Sequence, residues 1–255
     1  MAGRPYVLSE TNWKAVRETE YEVAILPWGA TEAHNFHLPF GTDTLQVEAV
    51  ATVAAEKAWE RGARCLVLPP IPFGCNAQQV DIPHTINLNP TTQAFVLGDI
   101  VESLDAQGLS RLLILNGHGG NDFRPMIREL QAKTDVFLCA MSWFELPEVR
   151  EHFAEPGDHA GMAETSLMLH LAPDLVLPLS EAGPGKGRAF KVRALREGWA
   201  WAPRNWILVT EDTGVGDPSG GSEAAGRAVF EALTARISSF LVELAQADLE
   251  DLYGE

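Results

Sequence analysis

Residues 22–43 read EVAILPWGATEAHNFHLPFGTD. The apolar run over residues 22–28 predicts a buried strand, and potential metal ligands crowd into the segment that follows it. These ligands are Glu32, His34, His37 and Asp43. Because α/β proteins carry their chemistry on the loops that follow strands, this stretch predicts an α/β fold with a functional site at a strand end.

The side chains of this segment favour a metal site. Carboxylate and imidazole are ligands that zinc and manganese accept, and catalytic sites keep one position open for water or substrate. Glu32 and His34 leave the same face of an extended chain because they are two residues apart. The turn residues Pro39 and Gly41 allow Asp43 to approach the same point, where it can bridge two ions. The alternative is a solvated polar loop without metal.

A second segment, residues 111–121, reads RLLILNGHGGN. Its apolar run predicts another buried strand, and His118 follows directly at the strand end. Glycines on both sides of His118 lack the Cβ atoms that hinder close approach of the backbone to an ion. The alternative is a phosphate-binding glycine loop, but the segment has neither the Walker lysine nor GxGxxG spacing.

A third segment, residues 157–170, reads GDHAGMAETSLMLH and predicts the start of a helix that continues through Leu171. His159 is a candidate general base or proton shuttle, since imidazole exchanges protons near neutral pH. The alternative for His159 is a polar contact at the helix N-terminus. Glu164 is either a catalytic carboxylate or a group that stabilises the helix dipole from the first turn.

These three segments together resemble the creatininase family, the creatinine amidohydrolase-like proteins. The shared pattern comprises an E-x-H pair, HLPxxTD, NGH and HxGxxETS. The resemblance implies a three-layer α/β/α fold with a largely parallel central sheet. It also implies a homo-oligomer, a hexamer in the family, that hydrolyses a small-molecule amide. The implied cofactor is a divalent metal, zinc and/or manganese with iron as a further option, at one or two ions per subunit.

The resemblance further implies roles for single residues. Metal-binding positions fall on Glu32, His34, Asp43 and His118, and catalytic positions fall on His159 and Glu164. Creatininase completes its second metal site with a glutamate two residues after the NGH histidine, and this chain has Gly120 there. Asn35 and Phe36 replace the more usual Gly-Pro, which indicates a divergent subfamily. His37 is expected to hydrogen-bond a metal ligand and orient it.

The chain as a whole predicts a single domain over residues 1–255. Strand-like and helix-like segments alternate, as they do where helices cover a parallel sheet. Strands are predicted at residues 22–28, 64–69, 112–115 and 135–143, and the main helices at residues 44–61, 90–107 and 222–247. A further helix is predicted to start near His159 and Glu164 and to continue through Leu171. The loops after the first, third and fourth strands are therefore expected at one sheet edge.

Composition excludes several classes of function. The formal net charge of −16 repels phosphate backbones, so nucleic-acid binding is not expected. The sequence has no run of about 20 apolar residues, so a membrane span is not expected. The start MAGRPYVLSE lacks the apolar core of a signal peptide, so a cytoplasmic location is expected. The three cysteines are scattered, which favours small core residues over disulfides.

Aromatic residues offer further candidates near the site. The basic stretch GKGRAFKVRALR, residues 185–196, is followed by Trp199, Trp201 and Trp206. It predicts a surface excursion that packs against another subunit or rims the pocket. Three more aromatic residues lie at or near predicted strand ends: Trp28, Trp143 and Phe144. They form either an apolar wall for a small ring or plain core.

Three functions remain open. The first is a metal-dependent amidohydrolase that uses activated water to cleave a C–N bond of a cyclic or other small non-peptide amide. The second keeps the fold and the metal but cleaves a peptide or a formamide in cofactor biosynthesis, as some creatininase-like proteins do. The third is a metal-binding protein without catalysis, which the missing glutamate at Gly120 motivates.

Overall fold

A parallel β-sheet forms the centre of the computed structural model, which describes residues 3–254. The strands in this part of the chain are β1 (Val23–Trp28), β2 (Cys65–Val67), β3 (Arg111–Asn116) and β4 (Phe137–Ser142). They lie in the order β2-β1-β3-β4, and each neighbouring pair is parallel. The predicted parallel sheet is confirmed.

Helices cover both faces of this sheet. Those of the described residues are α1 (Trp13–Glu18), α2 (Thr42–Glu60), α3 (Pro90–Ala106), α4 (Arg124–Leu130), α5 (Pro147–His152), α6 (Met162–Leu171), α7 (Arg193–Arg196), α8 (Trp206–Val209) and α9 (Glu223–Gln246). Helices α2, α5, α6 and α9 share one apolar core with the sheet. Helices α3 and α4 share a second core on the other face. The predicted three-layer α/β/α arrangement is therefore confirmed.

Alternation along the strands divides the apolar side chains between the two cores. In β1, Val23 and Ile25 join the core beneath α2 and α9, whereas Ala24 and Leu26 join the core beneath α3. Successive side chains of a strand point to opposite faces, so a strand covered on both sides reads as a continuous apolar run. The run over residues 22–28 has this composition because both of its faces are buried.

Several predicted bounds shift by a few residues. The second strand is shorter than predicted and covers Cys65–Val67. The helix after the first motif begins at Thr42, so Asp43 lies in its first turn. Helix α6 begins at Met162, which leaves His159 in an extended bridge with Val215 before the helix. The final helix is capped by Ser222 as predicted, through its side chain and the backbone N–H of Ala225.

Register places the loops that carry the motifs side by side. Trp28 at the end of β1 pairs with Asn116 at the end of β3, and Asn116 pairs with Ser142 at the end of β4. The chain segments that follow these strands therefore leave the sheet at one edge, where open α/β sheets bind ligands. The single domain predicted over residues 1–255 stays a prediction, and its ends, residues 1, 2 and 255, lie outside the described residues.

Candidate metal centre

Donor side chains from three parts of the chain converge at the carboxyl edge of the sheet. Nδ1 of His118 lies 2.8 Å from Oε1 of Glu32 and 3.0 Å from Oδ2 of Asp43. Nε2 of His34 lies 2.9 Å from Oδ1 of the same Asp43. Glu164 faces this group from α6, with its Oε1 3.9 Å from Nε2 of His34. The structure thus brings together Glu32, His34, Asp43 and His118, the metal-binding positions that the resemblance implies, but not His37.

Backbone carbonyl groups orient the three histidines of the site. A carbonyl oxygen only accepts hydrogen bonds, so the ring nitrogen beside it carries the proton. Nδ1 of His34 donates to the carbonyl of Glu32 at 3.1 Å, and Nε2 of His118 donates to that of Cys75 at 3.1 Å. Nε2 of His159 donates to the carbonyl of Ala33 at 2.7 Å. The opposite nitrogen of each ring therefore faces the carboxylates, as metal-binding histidines do.

Two carboxylate oxygens of the cluster are buried without a hydrogen-bond partner. They are Oε1 of Glu32 and Oδ2 of Asp43, for which the described residues supply no donor in hydrogen-bonding geometry. A buried, unsatisfied carboxylate oxygen costs free energy, and a cation removes that cost. Carboxylate and imidazole donors without thiolates suit zinc or manganese. The residues present therefore fit a divalent ion.

Electrostatics inside the cluster favour positive charge between the carboxylates. Burial lowers the pKa of His34, but the carboxylates of Asp43, Glu164 and Glu32 together outweigh it and raise the pKa to about 10. Burial likewise opposes charge on His118, whereas Glu32 and Asp43 raise its pKa well above the usual range. Burial alone would raise the pKa of Asp43, yet the two histidines hold it well below its usual range. Bound protons thus supply the charge that an ion would otherwise provide.

A buried glutamine supports Glu32 and was not found from the sequence. Nε2 of Gln79 donates to Oε2 of Glu32, which leaves Oε1 facing His118. Gln79 belongs to a short 3₁₀ turn, Ala77–Gln79, on the connection between β2 and α3. No motif marks this residue, since a single glutamine in an irregular segment carries no periodic signal. The same connection supplies the Cys75 carbonyl, so Cys75 contributes to the site and is not the core residue that the sequence predicted.

His37 does not have the predicted contact with a metal ligand. Its Nε2 lies 2.9 Å from Oγ1 of Thr165, the residue that follows Glu164 on α6. Burial first, and then the neighbouring His34, lower the pKa of His37 to about 4, so the ring is neutral at physiological pH. The side chain instead joins the loop after β1 to α6. The prediction that His37 hydrogen-bonds a metal ligand is therefore wrong.

A large cavity opens above the cluster and includes His159 in its wall. The cavity has a volume of about 1080 Å³, and Glu32, Asp43, His118 and Glu164 lie at its base. Nδ1 of His159 lies 3.8 Å from Oε1 of Glu32, and the ring of Trp206 packs edge-on against His159 at 5.4 Å between centroids. A histidine in this position is able to exchange protons with a molecule bound over the carboxylates.

The aromatic candidates divide between core and cavity. Trp28 is fully buried against Phe123 and donates from Nε1 to the Phe73 carbonyl, so it is core. Trp143 and Phe144 line the cavity. Two of the three tryptophans after the basic stretch also reach the cavity. Trp201 and Trp206 line its rim, which agrees with the predicted pocket-rimming excursion.

Among the described residues, no helix is both long enough and apolar enough to cross a membrane.

Comparison with known proteins gives a consistent family relationship. The family model described as creatininase, creatinine amidohydrolase, matches residues 9–241. The mycofactocin precursor peptide peptidase of Mycobacterium ulcerans is 31% identical over 216 residues, which cover 81% of this chain and 79% of that protein. The creatinine amidohydrolase of Pseudomonas putida is 32% identical over 199 residues, 66% of this chain and 73% of that protein.

Solved structures show the same fold. A Bacteroides fragilis protein provisionally named a creatinine amidohydrolase is 43% identical and superposes with a TM-score of 0.91, over 96% of this chain and 98% of that one. A creatininase described as a manganese form shares the fold at 24% identity, with a TM-score of 0.77 over 96% of this chain and the whole of that one. A zinc–zinc form of a creatininase mutant superposes with a TM-score of 0.78 over the same shares of both chains. Manganese and zinc, the metals expected from the donor set, thus occur on this fold.

Proposed function

This chain belongs to the creatininase family of hydrolases, and we propose that it is a metal-dependent amidohydrolase that cleaves a C–N bond of a small, non-peptide amide. One observation carries the proposal. Buried carboxylates and imidazoles converge at the base of a cavity of about 1080 Å³, directly beside the inward-facing Nδ1 of His159. Such a site pairs metal donors with a proton-transfer group, which amide hydrolysis requires.

Four side chains are proposed to hold the ions: Glu32, His34, Asp43 and His118. When bound, such an ion would lower the pKa of its bound water, to about 7 in the case of zinc, and polarise a carbonyl oxygen. Other groups of the chain orient these donors through hydrogen bonds to the side-chain atoms that would not bind the ion. Gln79 orients the carboxylate of Glu32, and the carbonyls of Glu32 and Cys75 orient His34 and His118. Fixed donors of this kind reduce the reorganisation needed when substrate binds.

His159 is proposed to move the proton that the reaction requires. Its Nε2 is held by the Ala33 carbonyl, so Nδ1 is the atom that exchanges protons with the reacting groups. The backbone of His159 is also fixed, because it exchanges two hydrogen bonds with Val215 at 2.9 and 2.8 Å. The leaving nitrogen of an amide must be protonated before it departs, and a positioned imidazole supplies that proton. Glu164 lies across the cluster from His159, and the family resemblance implies that it too occupies a catalytic position.

A peptide substrate is the second candidate, and two observations favour it. The cavity volume of about 1080 Å³ lies just above the range of about 300–1000 Å³ that small-ligand pockets have. A relative that covers most of this chain is named a precursor peptide peptidase. A metal-binding protein without catalysis is the remaining alternative, and it gives the inward-facing His159 no functional role.

Metal reconstitution with a panel of amides tests the proposal. Protein stripped with a chelator is reloaded with manganese or zinc and incubated with creatinine, other cyclic amides, N-formyl compounds and short peptides. Mass spectrometry then identifies the products. Metal-restored hydrolysis of a cyclic amide supports the proposal, whereas exclusive cleavage of peptides or of N-formyl compounds supports the alternative substrates, a peptide or a formamide. Bound metal without turnover on any member of the panel favours the binding protein.

Assembly as a homo-oligomer is inferred from the family resemblance, and a cytoplasmic location stays a prediction from the sequence. The indole side chains of Trp199 and Trp201 are 73% and 85% exposed, which is costly for large apolar groups unless another surface covers them. This exposure supports an oligomer. Light scattering coupled to size-exclusion chromatography measures the number of subunits directly.

A further inference from the structure

We propose that Glu164 is a metal ligand, and that with His34 and Asp43 it forms a second ion site which shares Asp43 with the first. The first site comprises Glu32, Asp43 and His118. In each group of three, the donor atoms lie within 4.8 Å of one another. The inference deepens the proposed function, since it concerns the ions of the same centre, but it changes the role of Glu164 from a catalytic residue to a ligand.

The two oxygens of Asp43 point to different histidines. Oδ1 lies 2.9 Å from Nε2 of His34, and Oδ2 lies 3.0 Å from Nδ1 of His118. A carboxylate that presents one oxygen to each of two imidazole nitrogens has the arrangement of a bridge between two ions. Asp43 lies in the first turn of α2, so the helix fixes the backbone from which both contacts are made.

The position of Glu164 is fixed by contacts that leave one oxygen free. Its backbone carbonyl accepts a 2.9 Å hydrogen bond from Nε2 of Gln46, a buried residue of the same α2 that carries Asp43. Its Oε2 accepts the backbone N–H of Ala160. Oε1 remains 3.9 Å from Nε2 of His34, a separation that allows both atoms to bind one ion.

Charge compensation also favours a second cation. Glu32, Asp43 and Glu164 bring three carboxyl groups to one largely buried point, where Glu32 and Asp43 are at most 1% exposed and the side chain of Glu164 is 18% exposed. Uncompensated charges in such a place are strongly destabilising. One divalent ion leaves one negative charge on three ionised carboxylates, whereas two ions leave one positive charge, which an added hydroxide would balance.

His159 is the competing ligand, because Glu32, His34 and His159 also form a group of suitable donors. That group reuses Glu32, which the first site already employs, and it omits the bridging Asp43. The two sites proposed here use every donor once and Asp43 twice. They also leave Nδ1 of His159 free for proton transfer, which agrees with its place in the cavity wall.

The chain has no alternative donor at position 120. A Cβ atom on Gly120 would overlap the carbonyl oxygen of Cys75 and Nε2 of His118. The Cys75 segment is held there, since its N–H donates to Oδ1 of Asn121 at 3.0 Å. A side chain at position 120 therefore requires a shift of the backbone that orients His118. The packing around Gly120 thus excludes the glutamate that creatininase has two residues after the NGH histidine. In this chain, Glu164 of α6 supplies the carboxylate instead.

Counting bound manganese in three proteins tests this assignment without any substrate. Wild type, Glu164→Gln and His159→Asn are stripped, dialysed against the same free manganese concentration and analysed for metal by mass spectrometry. Electron paramagnetic resonance then distinguishes coupled from isolated ions. Circular dichroism establishes that each variant is folded, and Glu164→Asp, which retracts the carboxylate, serves as a second variant.

The expected metal contents differ between the variants. Wild type and His159→Asn hold about two ions per chain with a coupled signal, and Glu164→Gln holds about one with an isolated signal. Glu164→Asp weakens the second ion by at least about tenfold. The assignment is overturned if wild type holds a single ion, if Glu164→Gln keeps both, or if His159→Asn loses one. These counts do not depend on turnover, so they stand or fall separately from the amidohydrolase proposal.

Discussion

The loops that follow β1 and β3 contrast with the arm formed by residues 183–209. The loops carry Glu32, His34 and His118, each at most 5% exposed. The arm contains the two short helices α7 and α8 and exposes Trp199 and Trp201. Yet both regions meet at the same cavity, because Trp201 and Trp206 line its rim. The proposed metal donors thus lie in the buried part of the fold, whereas the arm places exposed indole side chains beside the cavity.

Asn35 joins these two regions. Its backbone has a φ of 53°, a left-handed conformation that asparagine tolerates better than most residues. Its side chain accepts from the N–H of Gly183 at 2.8 Å and donates to the carbonyl of Gly183 at 3.0 Å. The start of the arm is therefore tied to the residue beside His34. The divergence at Asn35 that the sequence indicates thus has a structural purpose.

The largest effect on metal binding and turnover is expected from a substitution in the loop that follows β3. His118→Ala removes the imidazole that faces both Glu32 and Asp43. The proposed ion then loses one of its ligands, and the unsatisfied oxygens of the two carboxylates lose the ion that would compensate them. We expect bound metal to fall and turnover of any substrate found by the amide panel to drop at least about 1000-fold. The fold should remain, as judged by circular dichroism. Asp99→Asn on the exposed face of α3 is the control, and full activity in His118→Ala would exclude His118 from the centre.

A smaller effect is expected at the two neighbouring glycines of the β3 loop. Gly120→Ala forces an overlap with Cys75 and His118, whereas a Cβ atom on Gly119 meets nothing within 4 Å. We expect Gly120→Ala to lower the free energy of unfolding by about 1–3 kcal/mol and to weaken metal binding. Gly119→Ala should leave both nearly unchanged. Denaturant unfolding and metal titration measure the difference, and equal effects of the two substitutions would contradict the close packing at position 120.

The junction between the regions is tested by Asn35→Gly. Glycine keeps the left-handed backbone but loses both side-chain hydrogen bonds to Gly183, which costs about 1–2 kcal/mol. We expect faster hydrogen exchange over residues 183–209, with bound metal unchanged. Phe36→Ala, at a side chain that is 59% exposed, should leave exchange in the arm unaltered. Loss of metal without faster exchange in the arm would show that Asn35 supports the centre and not the arm.

The smallest effect on stability is expected at the tip of the arm. Trp201→Ala removes an indole that is 85% exposed, so the free energy of unfolding should change by no more than about 0.5 kcal/mol. Bound metal should also be unchanged. Because the indole lines the cavity, KM for a hydrolysed amide should rise while kcat changes little. A fall in kcat with constant KM would place Trp201 in the chemical step and remove the contrast between the regions.

The amino-acid sequence by itself determined the sheet and the positions of the proposed metal donors. The runs over residues 22–28 and 112–115 are apolar because both faces of their strands are buried, and a buried strand leaves that signal locally. The donor residues follow those runs at short, fixed distances. Since parallel strands end at one edge of the sheet, Glu32, His34 and His118 had to meet there.

Only the tertiary structure decided how these donors are oriented and what completes them. The carbonyls of Cys75 and Ala33, which fix His118 and His159, belong to segments without a motif. Gln79 reaches Glu32 from a 3₁₀ turn, and Glu164 reaches His34 because α6 packs beside α2. Contacts of this kind depend on which surfaces pack together, and periodicity along the chain does not record that. Short local motifs in the sequence thus identify the residues of the centre, whereas the geometry of the centre results from packing between distant segments.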